Sequence, residues 1–502
     1  MQTLHYPLVV IGSGFAGRTV ADYFSNDECL VLERGEALDY AARMAEAEQA
    51  LAKGASRHEA EGMAYRSDLP WNATPQLSEF NHSRYALVAG GSSNWWGGKC
   101  SRFSAHVFES QDFLPWVFNL QDLSPWYGLA EKRLNISGDP VWGEGEPVNA
   151  MPGAAYWRNA FAPYLSPSHV YNAAINRGPQ GKHGQGTCQG RGACAVCHHD
   201  SKARPDNIFR PLNILYRSLV TEIEFVGATA KSVMVYDGRT LFRVTFDRLV
   251  IAANGLESPR LLARSALPGG VPRDHLGRYY QDHAHFAMNC RVDKPIAFRN
   301  LGGMCHVEVK ELSTAYDTSI GSIEAGALAL THPLSPLEYN QAVPPHNVFQ
   351  PGSAEVTART LLQSMRGVFQ IYCELEIPPQ ANIRVDLQSE HPLVVDGEAY
   401  RALIPILNSV TTTMKQRMAD RGVEVLQSHH WYQTGYGGHH FCGTLNMSDC
   451  ERSVTGADFR LIGTTNVFCA GASIIPRSGG VAPTLTIVAL AEKLGQQLRS
   501  TD

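Results

Sequence analysis

The feature that most constrains this chain is a glycine turn near its start. Residues 6–11, YPLVVI, form a short apolar run rich in β-branched side chains. Such a run, stopped by Gly12, is predicted to be a buried parallel strand. It enters Gly12-Ser13-Gly14-Phe15-Ala16-Gly17, a G-x-G-x-x-G pattern, and residues 16–24 continue with helical spacing. A second apolar run, residues 29–33, ends on Glu33, 21 residues after Gly12. Each position has a physical reason. Gly12 permits the tight turn, Gly14 lets a pyrophosphate approach the backbone, and Gly17 lets helix and strand pack closely. The helix N-terminus then faces the phosphates. Glu33 is placed to accept hydrogen bonds from ribose hydroxyls. The pattern predicts a dinucleotide site and does not separate FAD from NAD.

The rest of the chain is large enough to build on that opening. Its 502 residues are 44% hydrophobic and 18% charged, which supports a substantial core and excludes a disordered chain. The formal charge is −5 and no Lys/Arg run stands out, so nucleic acid and anionic membrane are not expected partners. No segment approaches 18 uninterrupted apolar residues, and no membrane insertion is expected. The N-terminal stretch lacks a basic region and runs directly into the glycine motif. The expectation is therefore a cytoplasmic protein whose cysteines are mostly thiols.

Residues 36–63 read as interrupted helix and 123–136 as an amphipathic helix. Residues 228–246 read as a hairpin turning at Asp237-Gly238, and 248–253 as a further buried strand followed by a helix over 258–265. Residues 383–387 alternate like a strand, 402–421 read as one long helix, 465–470 as a strand, and 484–498 as a closing helix. The expected fold is mixed α/β. A Rossmann-like dinucleotide domain is assembled from 1–137, 206–285 and 435–502. Residues 138–205, rich in Gly, Cys and His, form an insertion or lid. Residues 286–434, with strand-like alternation and one long helix, read as a second domain.

Four further segments narrow the class. They are the loop Gly90-Gly91-Ser92-Ser93-Asn94-Trp95-Trp96-Gly97-Gly98, the stretch from Val250 to Leu262 (VIAANGLESPRLL), Gly277-Arg278 followed by Asp282-His283, and a C-terminal set. That set comprises His440-Phe441-Cys442-Gly443-Thr444, Phe468-Cys469-Ala470-Gly471-Ala472-Ser473 and Ala482-Pro483-Thr484-Leu485-Thr486-Ile487. In this order the chain resembles the glucose–methanol–choline (GMC) family of FAD-dependent oxidoreductases. The resemblance implies a discontinuous FAD domain, a substrate domain at 286–434 with a mainly antiparallel sheet over the isoalloxazine, and oxidation of an alcohol to a carbonyl by hydride transfer to flavin N5. It implies FAD contacts from Gly12, Gly14, Phe15, Ala16, Gly17, Glu33, Arg34, Gly90, Gly91, Ser92, Asn94, Trp95, Val220, Ala253, Gly471, Ala472, Pro483 and Thr484. Trp95 and Trp96 suit plain packing equally well.

Loss of a hydride from an alcohol carbon requires loss of the hydroxyl proton, and histidine is the natural base near neutral pH. His440 matches the family's catalytic histidine. His439, beside it, is expected to point away if the segment is extended, and to be structural. The chain departs from the family at Ala482, where an Asn or His is usual. That departure keeps open a flavoenzyme with other chemistry: elimination, isomerisation, or oxidation at a C–C or C–N bond. A non-catalytic FAD-binding protein is a further alternative. Gly471 stands where many members have Asp. The Gly90 loop contains no His, so the FAD is expected to be non-covalent. The substrate is expected to be a polar small molecule: a sugar, polyol, cyclitol or natural-product alcohol. The electron acceptor is left open.

Cys188, Cys194 and Cys197 with His198 and His199 follow the spacing C-x5-C-x2-C-H-H. Three thiolates and a His suit zinc, and three thiolates suit a small iron–sulfur cluster. No second C-x-x-C completes a set, so the expectation is plain thiols and no metal is assigned.

Overall fold

A computed structural model of the chain describes residues 3–137, 161–166, 174–176, 181–188, 197, 199–293, 306–330 and 368–500, save 56, 70, 73–75, 84, 182 and 381. The first sheet begins with β1 (Thr3–Ile11) and β2 (Cys29–Leu32), joined by α1 (Phe15–Ala21). Its other strands are β3 (Ile214–Leu215), β4 (Leu219–Val226), β5 (Thr229–Tyr236) and β6 (Leu241–Ile251). The order is β3-β2-β1-β6-β5-β4, with β1, β2, β3 and β6 parallel and β4-β5-β6 an antiparallel meander. β5 pairs only the first part of β6. Val467–Cys469, at the far end of the sequence, pairs in parallel with Leu249–Ile251. Leu8, Val9, Val10, Leu30, Val31, Leu249 and Val250 are all buried, as continuous apolar runs in a covered parallel sheet should be.

The second sheet is antiparallel throughout. It contains β7 (His283–Arg291), β8 (His306–Glu308), β9 (Ala315–Thr318), β10 (Gly321–Leu330), β11 (Val368–Glu376) and β12 (Glu424–His429), ordered β12-β7-β11-β10-β8 with β9 on β10. The strand at Val467–Cys469 is β13. Alternation gives this sheet two unlike faces. Phe286, Met288, Cys290, Ile371, Cys373 and Leu375 enter a core with Leu403, Leu407, Val410 and Met414 of the helix Gly397–Ala419. The opposite face carries His283, His285, Tyr372, Glu374, Glu376 and Glu324.

The sequence reading placed several boundaries differently. The buried strand expected at 248–253 is the end of β6, one continuous strand from Leu241. The following helix starts at Asn254 rather than 258, because Asn254 Oδ1 accepts from the Leu256 and Glu257 amides at 2.7 and 3.3 Å. Of residues 383–387, only Arg384–Val385 pairs, in a two-stranded ribbon with Val394–Val395. β7 starts at His283, so the second sheet begins before the boundary expected at 285/286. Residues 138–160 of the expected lid lie outside the described residues.

Candidate active site

The glycine turn is built from backbone contacts. Gly12 has φ +101°, and a Cβ there would lie 2.5 Å from the Ala252 carbonyl oxygen. A Cβ on Gly17 would lie 2.0 Å from the Gly12 oxygen. Both distances are forbidden, so strand, turn and helix meet only with glycine. A Cβ on Gly14 would meet only Ser93 Oγ, at 3.3 Å, and Gly90 O, at 3.7 Å. Gly14 is therefore spared a side chain for the space beside it. The strand ends of β1, β2, β6 and β13 bring Gly12, Glu33, Ala253 and Gly471 to one edge, where ligands of open α/β sheets sit. A Cβ on Gly471 would touch Ala16 at 3.7 Å. Ala472 follows it in a short turn, and Pro483 and Thr484 open the closing helix Thr484–Ser500.

Ser13 and Ser93 stitch the two glycine loops together. Gly90 N donates to Ser13 Oγ at 2.8 Å and Phe15 N to Ser93 Oγ at 2.9 Å. Glu33 is buried. Ser13 N and Oγ donate to its Oε2 at 3.0 and 2.6 Å, and Gly35 N to its Oε1 at 2.7 Å. A carboxylate offers about four acceptor sites, so one remains open. Ser218 N donates to the Glu33 carbonyl at 2.8 Å, which holds Val220 of β4 nearby. Arg34 turns to other work: its guanidinium binds Glu257 at 2.8 Å, Asn72 at 2.9 Å and the Trp71 carbonyl at 2.7 Å.

Whether this edge suits FAD can be tested on its polar atoms. Ser92 Oγ and Asn94 Oδ1 are buried and have no hydrogen-bond partner among the described residues. Buried polar groups are normally paired, so these two call for a ligand atom. With the open position at Gly14, at the N-terminus of α1, the residues fit a dinucleotide. Gly90 and Gly91 carry positive φ, +83° and +52°. Lys202, fully buried, donates to the Asn94 and Trp96 carbonyls at 2.7 Å each and holds the loop from behind. Nothing in the sequence flagged Lys202, and Ser93 was visible only as part of the Gly90–Gly98 loop, without a role of its own. Trp96 packs edge-on to Phe15 and donates to the Ala203 carbonyl at 2.9 Å, while Trp95 lies 5.7 Å from the His439 ring.

The C-terminal motif reaches this edge through glycine as well. A Cβ on Gly255 would lie 1.8 Å from the Phe441 carbonyl oxygen, and Thr444 Oγ1 donates to the Gly255 carbonyl at 2.7 Å. His440 thus sits beside the end of β6. Its Nδ1 is 2.7 Å from His283 Nδ1, and His283 Nε2 is 2.7 Å from the Gly479 carbonyl oxygen. Asp282 Oδ1 accepts from the backbone amides of His440 and His283 at 3.0 and 2.8 Å. Its Oδ2 accepts from Ser83 Oγ and Tyr280 OH. Burial, then the neighbouring His283, hold His440 well below the usual histidine range. His439 has φ +65°, so the segment is not extended, and the alternation expected for the pair does not apply.

The loop from Arg477 to Ala482 clamps the two sheets together, and nothing in the sequence assigned a role to its first five residues. Arg477 is bound by both oxygens of Glu376, at 2.7 and 2.9 Å, and neither side chain is exposed. Gly480 N donates to Glu324 Oε2 at 3.0 Å, and the loop lies so close to β10 that a Cβ on Gly326 would be 2.2 Å from the Gly480 oxygen. Burial pushes the Glu324 carboxyl up to about 7. Beyond this loop, Lys99 Nζ is 3.6 Å from Glu374 and stands over the Tyr372 ring. Burial pushes His285 down to about 4, and its buried Nε2 has no hydrogen-bond partner among the described residues.

Residues 358–491 match the family model described as GMC oxidoreductase. That segment of the chain is a GMC oxidoreductase C-terminal domain. The whole chain is 25% identical over 541 aligned positions to a 6'''-hydroxyparomomycin C oxidase of Streptomyces lividus, spanning 99% of this chain and 91% of the relative. It is 22% identical to the fructose dehydrogenase large subunit of Gluconobacter japonicus, spanning 98% and 97%. Among solved structures, pyridoxine 4-oxidase from Mesorbium loti superposes with a TM-score of 0.58 at 17% identity, covering 99% of both chains. The chain is an FAD-dependent oxidoreductase of mixed α/β fold, with a Rossmann-like β1–α1–β2 opening and a second, antiparallel sheet.

The cysteine segment is described in part. Cys188 is partly exposed, and Cys197 is buried with its Sγ 3.3 Å from Ser201 Oγ. Cys194 and His198 lie outside the described residues. No helix among the described residues is long and apolar enough to cross a membrane.

Proposed function

We propose that the protein oxidises a hydroxyl group of a polar small molecule to a carbonyl, with His440 as the base and FAD bound non-covalently at the edge formed by Gly12, Glu33, Ser92, Asn94, Gly471 and Thr484. The observation that carries this reading is the position of His440. Its ring is partly exposed between the FAD edge and the polar face of the second sheet, and no hydrogen bond among the described residues engages its Nε2. Bound FAD supplies the hydride acceptor at flavin N5. His440, neutral because burial disfavours its charged form, accepts the hydroxyl proton at Nε2. Ala482 offers no second polar group, so His440 is the only base assigned.

The substrate is read from the polar face. Lys99, Glu374, Tyr372 and the unpartnered Nε2 of His285 suit a molecule with several hydroxyl or amino groups. The names of the relatives point the same way, since aminoglycosides and fructose are polyhydroxylated. Sugars, polyols, cyclitols and amino-sugar alcohols form the panel to assay, under air and with a dye acceptor. Carbonyl product from at least one is expected. Reactivity confined to amines, or to substrates lacking a hydroxyl, would point instead to the other chemistries that Ala482 leaves open. Acid precipitation should free the flavin into the supernatant, and flavin retained in the pellet would show a covalent link.

A further inference from the structure

We propose that His283 is a positioning residue that fixes which nitrogen of His440 carries the proton, so that His440 faces the substrate with an unprotonated Nε2. The inference rests on the reading of His440 as the base and identifies what prepares it.

A carbonyl oxygen only accepts, so the 2.7 Å contact with Gly479 requires a proton on His283 Nε2. His283 is fully buried, and no carboxylate hydrogen-bonds its ring among the described residues. Nearby acids are committed elsewhere: Asp282 to Ser83 and two backbone amides, Glu376 to Arg477, Glu374 to Lys99. A second proton on His283 would make an unpaired buried cation, which is costly. His283 is therefore neutral, and its Nδ1 is an acceptor. The other partner of that 2.7 Å contact, His440 Nδ1, must then be the donor. A neutral imidazole holds one proton, so His440 Nε2 is left with a lone pair.

The surroundings hold this chain in register. Asp282 ties the backbones of both histidines through one oxygen. A Cβ on Gly438 would lie 2.8 Å from Asp282 Oδ1 and 2.9 Å from His440 Nδ1, so glycine leaves room for the contact. The ligand atoms of Asp282, His283 and His440 also lie within 4.8 Å of one another, as in a metal site. An ion there would have to replace the ring-to-ring hydrogen bond.

The tautomer can be read directly. In holoenzyme labelled with nitrogen-15 in its histidine rings, two-bond proton–nitrogen correlation distinguishes the two forms, with His440 assigned by its loss in His440→Ala. Wild type is expected to show His440 protonated on Nδ1, and His283→Leu to move the proton toward Nε2. The limiting rate of anaerobic flavin reduction should fall about 100- to 10,000-fold in His283→Leu, the range for losing a correctly poised base, with the substrate-concentration dependence unchanged. His283→Asn, which keeps an acceptor near the place of Nδ1, should recover most of that rate. A wild-type proton on His440 Nε2, or stoichiometric zinc in protein purified without chelator, overturns the proposal. So does full activity in His283→Leu when His440→Ala is inactive, an outcome that leaves the base reading standing. Full activity in both variants removes the base reading too. If His283→Leu fails to hold flavin, the wild-type spectrum and His283→Asn decide.

Discussion

The FAD edge and the polar face of the second sheet meet at His440, yet they are built on different principles. At the edge the backbone makes the site. Gly12, Gly17 and Gly255 are fixed because a Cβ would strike a carbonyl oxygen at 2.5, 2.0 and 1.8 Å. On the polar face the side chains make it, in pairs far apart in sequence. His283 meets His440 across 157 residues and Glu376 meets Arg477 across 101. A backbone site needs glycine at set spacings along one segment. A side-chain site needs only that two distant strands present the right groups.

That contrast predicts different failures. The largest effect is expected from Gly14→Val. The added Cβ would meet Ser93 Oγ at 3.3 Å, a contact that a small shift of that side chain relieves, so the chain should fold, with an unchanged circular dichroism spectrum, but no flavin absorbance should remain. Flavin retained at one per chain would show that the edge is not where the dinucleotide lies.

Next is Glu376→Gln, which leaves Arg477 charged and buried. A loss of about 3–5 kcal/mol in unfolding free energy is expected. Replacing both residues with apolar side chains of similar size should recover most of it. A single variant as stable as wild type would mean the clamp between loop and sheet is not held by this pair.

A smaller effect separates the two regions by pH. Glu324 titrates near 7 in the folded chain, against 4.5 for an ordinary glutamate. Between those values the folded state keeps a proton that the unfolded state has lost, so this group's contribution to stability falls as pH rises from 4.5 to about 7. Glu324→Gln should flatten that part of the melting-temperature profile. An unaltered profile would show that Glu324 is ionised in the fold.

The same contrast explains what the sequence made legible. The β1–α1–β2 opening and Glu33 could be read because strand, glycine spacing and acid are local. The family motifs around Gly90, Gly255 and His440 could be read as a set, although the reason they occur together appeared only when Phe441 was found lying on Gly255. Lys202 and Arg477 carried no signal, since a single basic residue looks the same whether it is solvated or buried under a loop. Asp282-His283 was visible as a motif but had no role until Gly479, nearly 200 positions later, was placed against His283 Nε2. The direction expected for His439 depended on an extended segment, whereas its φ is +65°.

The central claim, that His440 is the base for oxidation of a polar alcohol by bound FAD, is tested most directly by mixing holoenzyme anaerobically with a panel of polyhydroxylated substrates and following the flavin absorbance. Wild type should bleach with at least one of them. His440→Ala, carrying the same flavin content, should bleach about 100- to 10,000-fold more slowly. Equal rates in the two proteins, or a wild-type flavin that dithionite reduces and no alcohol does, would contradict the account.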